Sequence, residues 1–127
     1  MSIYIIETMV NDIKTLSKVI YESKDQYSYI RFELGSTIFE STDHFPFFAL
    51  VKIRLQLESV DMFLACNGSR IDVYPSGLYV SSLLAYELKM GHQATQLVNI
   101  FEPCNDLNLI ASVKKQKEYR YLWSESL

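Results

Sequence analysis

The sequence predicts an α+β fold, an antiparallel sheet of about six or seven short strands packed with about three helices. Short β-branched and aromatic runs bounded by Gly, Pro, Asn or Asp recur along the chain, as in residues 27–34, 62–66 and 97–101. Longer stretches place apolar residues at helical spacing, as in residues 9–23, 46–59 and 114–127. No repeat or linker divides the 127 residues, and Gly 4 and Pro 3 leave little room for disorder, so residues 1–127 read as a single domain.

Ile3 to Ile6 reads as an opening strand. Met9, Ile13, Leu16 and Ile20, broadened by Val19, form the stripe of an amphipathic helix over residues 9–23, with Asp12, Lys14, Lys18 and Glu22 on its outer face. After a polar connection at residues 23–26, Ile30, Phe32 and Leu34 form the apolar face of a strand over 27–34. Gly35-Ser36 turns the chain into a second strand over 37–40, and residues 41–44 make a polar link.

Residues 46–59 fit two patterns. Val51, Ile53, Leu55 and Leu57 alternate with Lys52, Arg54, Gln56 and Glu58 as a strand would, yet Pro46 suits a first helical turn and the composition favours helix. Residues 62–66 read as the central apolar strand. Asn67-Gly68 supplies a tight hairpin turn tolerant of positive φ, and residues 71–74 supply the partner strand. Pro75-Ser76-Gly77 ends that strand with Gly77 in the left-handed position. Strands over 83–90 and 97–101 flank a turn at 91–94, and residues 107–113 are extended or irregular. A helix over 114–127 turns Tyr119, Leu122 and Trp123 inward.

Net charge is −3, and the first half of the chain carries the acidic surplus. A mildly acidic chain is a poor general ligand for nucleic acid, which needs a basic face, and it suits a basic protein partner. Lys114, Lys115, Lys117 and Arg120 interleave with Tyr119, Tyr121 and Trp123, but such a helix more commonly buries its aromatics and solvates its charges. Two cysteines, Cys66 and Cys104, make no disulfide framework, and no metal-ligand spacing is present, so neither metal nor cofactor is expected. The N-terminus lacks the plan of a signal peptide and no apolar run approaches a membrane span, which leaves a reduced, cytoplasmic setting as the expectation.

Catalytic candidates are sparse. Ser76 with His44 or His92 lacks the nucleophile-elbow context, and a serine between proline and glycine is ordinary turn chemistry, so no catalytic residue is assigned. Arg70 and Asp72 share a face of the expected strand and either pair with each other or hold a ligand together with Ser76. Tyr21, Tyr27, Tyr29 and Tyr79 are candidate interface aromatics.

A helix ending LQLES is followed by FLACNGSR, DVYPSG, AYELKMGHQA, LVNIFEP and VKKQKEYRYLW. This order of motifs over residues 47–123 resembles a family of small bacterial proteins; the first 45 residues match it only loosely, and Asn99 stands where an acid is common. The resemblance implies an immunity protein of the kind encoded beside polymorphic toxins, notably those of contact-dependent growth inhibition. Such a protein is not an enzyme; it binds and neutralises the C-terminal domain of a cognate toxin, often a nuclease with a basic groove. Glu22, Asp25, Glu33, Glu40 and Asp43 would then meet the toxin, with Tyr27 and Tyr29 as aromatic anchors. Asn67, Arg70, Asp72, Tyr74 and Ser76 carry the family motif, in a structural or a functional role. The competing expectation is a small enzyme or ligand-binding domain with a polar site at Arg70, Asp72 and Ser76.

Overall fold

The computed structural model describes residues 1–127. The N-terminal third is an antiparallel meander of β1 (Ser2–Val10), β2 (Ile13–Lys24), β3 (Tyr27–Leu34) and β4 (Thr37–Asp43). Val10 pairs with Ile13, Lys24 with Tyr27 and Leu34 with Thr37, so each connection is a two-residue loop. Asn11 and Asp12 have φ of 50° and 66°, and Asp25 and Gln26 have 53° and 67°. Paired positive φ is the signature of the type I′ turn, whose twist matches that of the strands it joins.

The expected helix over residues 9–23 is therefore a strand, β2, preceded by a turn. The stretch is rich in β-branched residues, and Asn11-Asp12 is turn chemistry in the middle of the supposed stripe. Tyr4, Ile6, Thr8 and Val10 of β1 share the inner face with Thr15, Ser17, Val19 and Tyr21 of β2. Met9, Leu16 and Ile20 belong to the opposite face, so two half-patterns combine into an apparent helical period.

Helix α1 (Pro46–Glu58) crosses the inner face against β3, β4 and the short β5 (Met62–Leu64). The pattern left open in the sequence resolves as helix. Phe47, Leu50, Ile53 and Leu57 are buried on one side while Leu55 is exposed on the other. The Asp43 carboxylate accepts the Phe45 N–H at 3.0 Å just ahead of the helix. Strand order is β4-β3-β2-β1-β5. The run expected to be the central strand is thus a three-residue edge strand, paired with β1 alone.

The second half is built differently from the expectation. Asn67–Ser69 forms a 3-10 turn, and neither Asn67 nor Gly68 has positive φ. No hairpin joins β5 to the following strand. Instead β6 (Val73–Tyr74) pairs with β7 (Leu84–Glu87), which pairs with β8 (Leu97–Asn99) in a separate small sheet. Gly77 likewise does not take positive φ. A 3-10 turn at Leu107–Leu109 precedes α2 (Val113–Glu125), whose start is capped by Ser112 accepting the Lys115 N–H at 3.2 Å. Eight strands and two α-helices are present, where fewer strands and a third helix were expected. Leu122, expected to pack inward, is exposed.

One continuous core joins both halves, from Ile6, Val19, Ile30 and Phe32 of the large sheet through α1 to Val73, Ala85, Ile100 and Phe101. Phe101 stacks on Tyr4, with centroids 5.0 Å apart, and tilts against Tyr21 at 5.3 Å. Gly68 sits where α1 presses on the segment after β8. A Cβ there would run into Leu50 Cδ2 and lie 3.1 Å from the Ile100 carbonyl oxygen. Gly68→Ala is expected to lower stability by about 1–3 kcal/mol through overpacking, read as a shift in the urea midpoint at unchanged slope. A shift near zero would mean that Leu50 moves aside freely.

Candidate functional site

The NGSR–DVYPSG stretch forms a structural clasp. Arg54 of α1 is 2% exposed and has no carboxylate partner. Its guanidinium donates to the Gly68 carbonyl at 3.0 Å, the Ala111 carbonyl at 2.9 Å and Gln116 Oε1 at 2.7 Å. Gln116, buried on α2, turns its Nε2 to the carbonyls of Gly68 at 2.9 Å, Arg70 at 2.8 Å and Val73 at 2.9 Å. Burial pushes the Arg54 pKa down, opposed by nearby Cys66 and Glu58. The same burial pushes the Cys66 thiol up. The motif's backbone is thereby pinned to both helices, and Asn67 adds a bond from Nδ2 to the Asn99 carbonyl at 3.2 Å.

Arg70 and Asp72 pair as a fork. Nε and Nη2 of Arg70 donate to the two Asp72 oxygens at 2.9 and 2.8 Å, and Nη1 donates to Glu87 of β7 at 3.1 Å. Partial burial would lower the Arg70 pKa, but Asp72 and then Glu87 raise it above its ordinary value. All of this guanidinium's bonding is internal, and neither Arg70 nor Asp72 lines any of the five main cavities. They tie β6 to β7 and do not share a pocket with Ser76.

Tyr74 and Ser76 do open into a cavity, between the small sheet and α2. Tyr74 packs on Phe47 at 5.2 Å and carries the Arg120 guanidinium 5.6 Å above its ring. Ser76 Oγ is buried without a hydrogen-bond partner. Neither His44, which stacks on Tyr27 at 4.5 Å, nor His92, whose carbonyl accepts from Trp123, hydrogen-bonds to it. No group of three or more His, Cys, Asp or Glu is placed to hold a metal ion.

The outer face of the five-stranded sheet is open, and α1 packs on the opposite face. Across the strands its residues fall in rows: Ile3–Ile20–Arg31–Glu40, Ile5–Lys18–Glu33–Ile38, Glu7–Leu16, and Glu22–Tyr29–Thr42. Ile3, Ile5 and Leu16 are 50, 57 and 64% exposed, and Ile38 and Tyr27 are also exposed. The sequence did not single out Ile3, Ile5, Leu16 or Ile38 as surface residues. Their apolar character, read as core signal, is what concealed them.

Five of the seven residues expected to bind a partner lie on this face: Glu22, Tyr27, Tyr29, Glu33 and Glu40. Asp25 sits at the β2–β3 turn. Asp43 belongs to the inner face of β4, where Lys52 of α1 approaches it at 3.2 Å. Burial would raise its pKa, but the Phe45 N–H, Lys52 and His44 bring it below the ordinary carboxylate value. Glu33 and Glu40 share Arg31, at 2.8 and 2.9 Å. On the outer face Glu7, Glu22, Glu33 and Glu40 are matched one for one by Lys14, Lys18, Lys24 and Arg31, so the acidic surplus of the first half does not collect there. Glu22 and Asp25 remain without an ion-pair partner.

The edges of the sheet are closed to different degrees. The carbonyls of Glu40 and Thr42, directed away from β3, accept from Gln56 Nε2 at 3.0 Å and Lys52 Nζ at 2.8 Å. β5, the other edge, is only Met62–Leu64.

No model of a known protein family matches the chain, and no curated protein is significantly similar to it. No helix is long and apolar enough to cross a membrane.

Proposed function

We propose that the protein is an immunity protein, which binds and neutralises a cognate bacterial toxin domain and performs no chemistry of its own. The observation that supports a binding role is the uncovered outer sheet face, with isoleucine and leucine exposed on β1 and β2 and charges of both signs beside them. A contiguous apolar patch with a polar surround is the usual character of a protein-contact surface. The toxin as partner follows from the motif order over residues 47–123. The chemistry of the face asks for a toxin surface with an apolar centre and, opposite the β2–β3 turn, cationic groups to meet Glu22 and Asp25. A nuclease groove built to hold phosphates supplies such cations.

The test is co-expression of the tagged protein with the C-terminal region of the toxin encoded beside it. A stable complex that protects cells from that region is the expected result. A toxic region that is neither bound nor neutralised would overturn the reading. In that complex, Glu22→Lys with Asp25→Lys is expected to weaken binding by roughly tenfold, mostly through slower association, and to flatten its dependence on salt. The pair is preferable to reversal of Glu40 and Asp43, since those carboxylates engage Arg31 and Lys52 within the fold. Unchanged affinity would move the contact away from the β2–β3 turn.

A further inference from the structure

We propose that the cavity between the small sheet and α2 is a binding site for a small carboxylate with an aromatic or apolar body. The site goes beyond toxin binding and does not depend on it, because it opens beside α2 and not on the outer face of the large sheet. Its volume is about 340 Å³, enough for a ligand of one or two rings. Tyr74, Tyr86, Leu88 and Trp123 form its aromatic and aliphatic walls.

Two polar groups enter this apolar setting without partners. Ser76 Oγ is the one buried side-chain oxygen or nitrogen in the molecule that has no hydrogen bond. Buried hydroxyls are rarely left so, but this one is sealed behind the cavity wall, and a ligand reaches it only if the turn at residues 75–77 shifts. Arg120 is the second. It makes no hydrogen bond to the protein, and no carboxylate, the chain-terminal one included, lies within 4.0 Å of its nitrogens. Its place over the Tyr74 ring fixes the guanidinium at the cavity wall. A fork of N–H donors at the wall of an apolar cavity suits a carboxylate, which accepts two bonds in one plane. The other arginines, Arg31, Arg54 and Arg70, each donate to two or more acceptors of the protein, whereas the Arg120 guanidinium donates to none.

Trp123 is the only tryptophan and lines the cavity, so its fluorescence reports on this site alone. The whole protein would be titrated with phenylacetate, with phenylacetamide as the uncharged counterpart and acetate as the anion without a body. Amide shifts of residues 74–78 and 120–127 in two-dimensional NMR give a second reading where fluorescence is silent. The expected result is saturable binding of phenylacetate below about 10 mM, with both controls at least about tenfold weaker. Arg120→Gln should weaken phenylacetate about fivefold or more and lower stability by no more than about 1 kcal/mol, since its contact with the Tyr74 ring is the one internal interaction lost. Three results would each overturn the assignment: no saturable response in either reading, equal binding of the amide, or full affinity in Arg120→Gln.

Discussion

Gln116→Leu is expected to lower the stability of the protein by about 3–5 kcal/mol. Leucine fills similar volume, so packing is nearly conserved and the loss is polar. The carbonyls of Gly68, Arg70 and Val73 lose their shared donor, and Arg54 loses an acceptor while remaining charged and buried. The Gly68 carbonyl keeps the bond from Arg54 Nη1 and the Arg70 carbonyl keeps the Val73 N–H, so the loss falls chiefly on the Val73 carbonyl and the Arg54 charge, at about 1–3 kcal/mol each. Gln116→Glu should not rescue the fold. Its carboxylate would pair with Arg54 but would turn an oxygen toward carbonyls that need a donor. Urea denaturation of both variants and of Arg54→Met with Gln116→Leu checks the account. The double variant should be less damaged than the sum of its single changes, because Arg54→Met removes the stranded charge. A loss below about 1 kcal/mol for Gln116→Leu would show that water replaces the glutamine.

The second large effect is on partner binding with the fold intact. Ile5→Glu together with Leu16→Lys is expected to weaken the complex with the toxin domain by at least about 30-fold, equivalent to about 2 kcal/mol. Both residues are more than half exposed, so little burial is lost within the monomer. The new charges also meet opposite ones across the sheet: Ile5 pairs with Lys18, and Leu16 with Glu7. Thermal stability should therefore change by no more than about 0.5 kcal/mol. Calorimetric titration of the toxin domain decides the matter. Undiminished affinity with an unchanged fold would remove the outer face from the interface.

How far these features could be read from the sequence depended on whether polar and apolar residues sorted by face. β3 was legible because Ser28, Ile30 and Phe32 are buried while Tyr27, Tyr29 and Arg31 lie outward, a clean alternation. α1 was legible from Pro46 and its composition, although alternation competed with it. β2 was not legible, because Leu16 and Ile20 place apolar side chains on the solvent face and so erase the period of two. The failure coincides with the surface most suited to a partner, where local rules are expected to yield to function. The pairing of Arg70 with Asp72 was foreseeable from their spacing of two, although the strand expected there shrinks to Val73–Tyr74 and leaves both residues ahead of it. The clasp was not, since it joins Arg54, Gly68 and Gln116 across large separations and Gln116 looks like any surface residue of a basic helix. Asn67-Gly68 misled for a related reason. The glycine answers a close approach of Leu50 and Ile100, a tertiary demand that mimics turn chemistry in the sequence.

The two side chains of α1 that reach the carbonyls of Glu40 and Thr42 have a consequence for the protein at high concentration. A seven-residue edge strand with free backbone groups is a template for self-association into fibrils, and β4 is of that length. With Lys52 and Gln56 seated on it, an incoming strand would have to displace both to complete a ladder along β4. β5 is too short to offer a template of its own. β1 runs on past β5, which pairs only with its residues 8–10, so growth of the sheet would start along residues 2–6, beside the exposed Ile3 and Ile5, and not at β4.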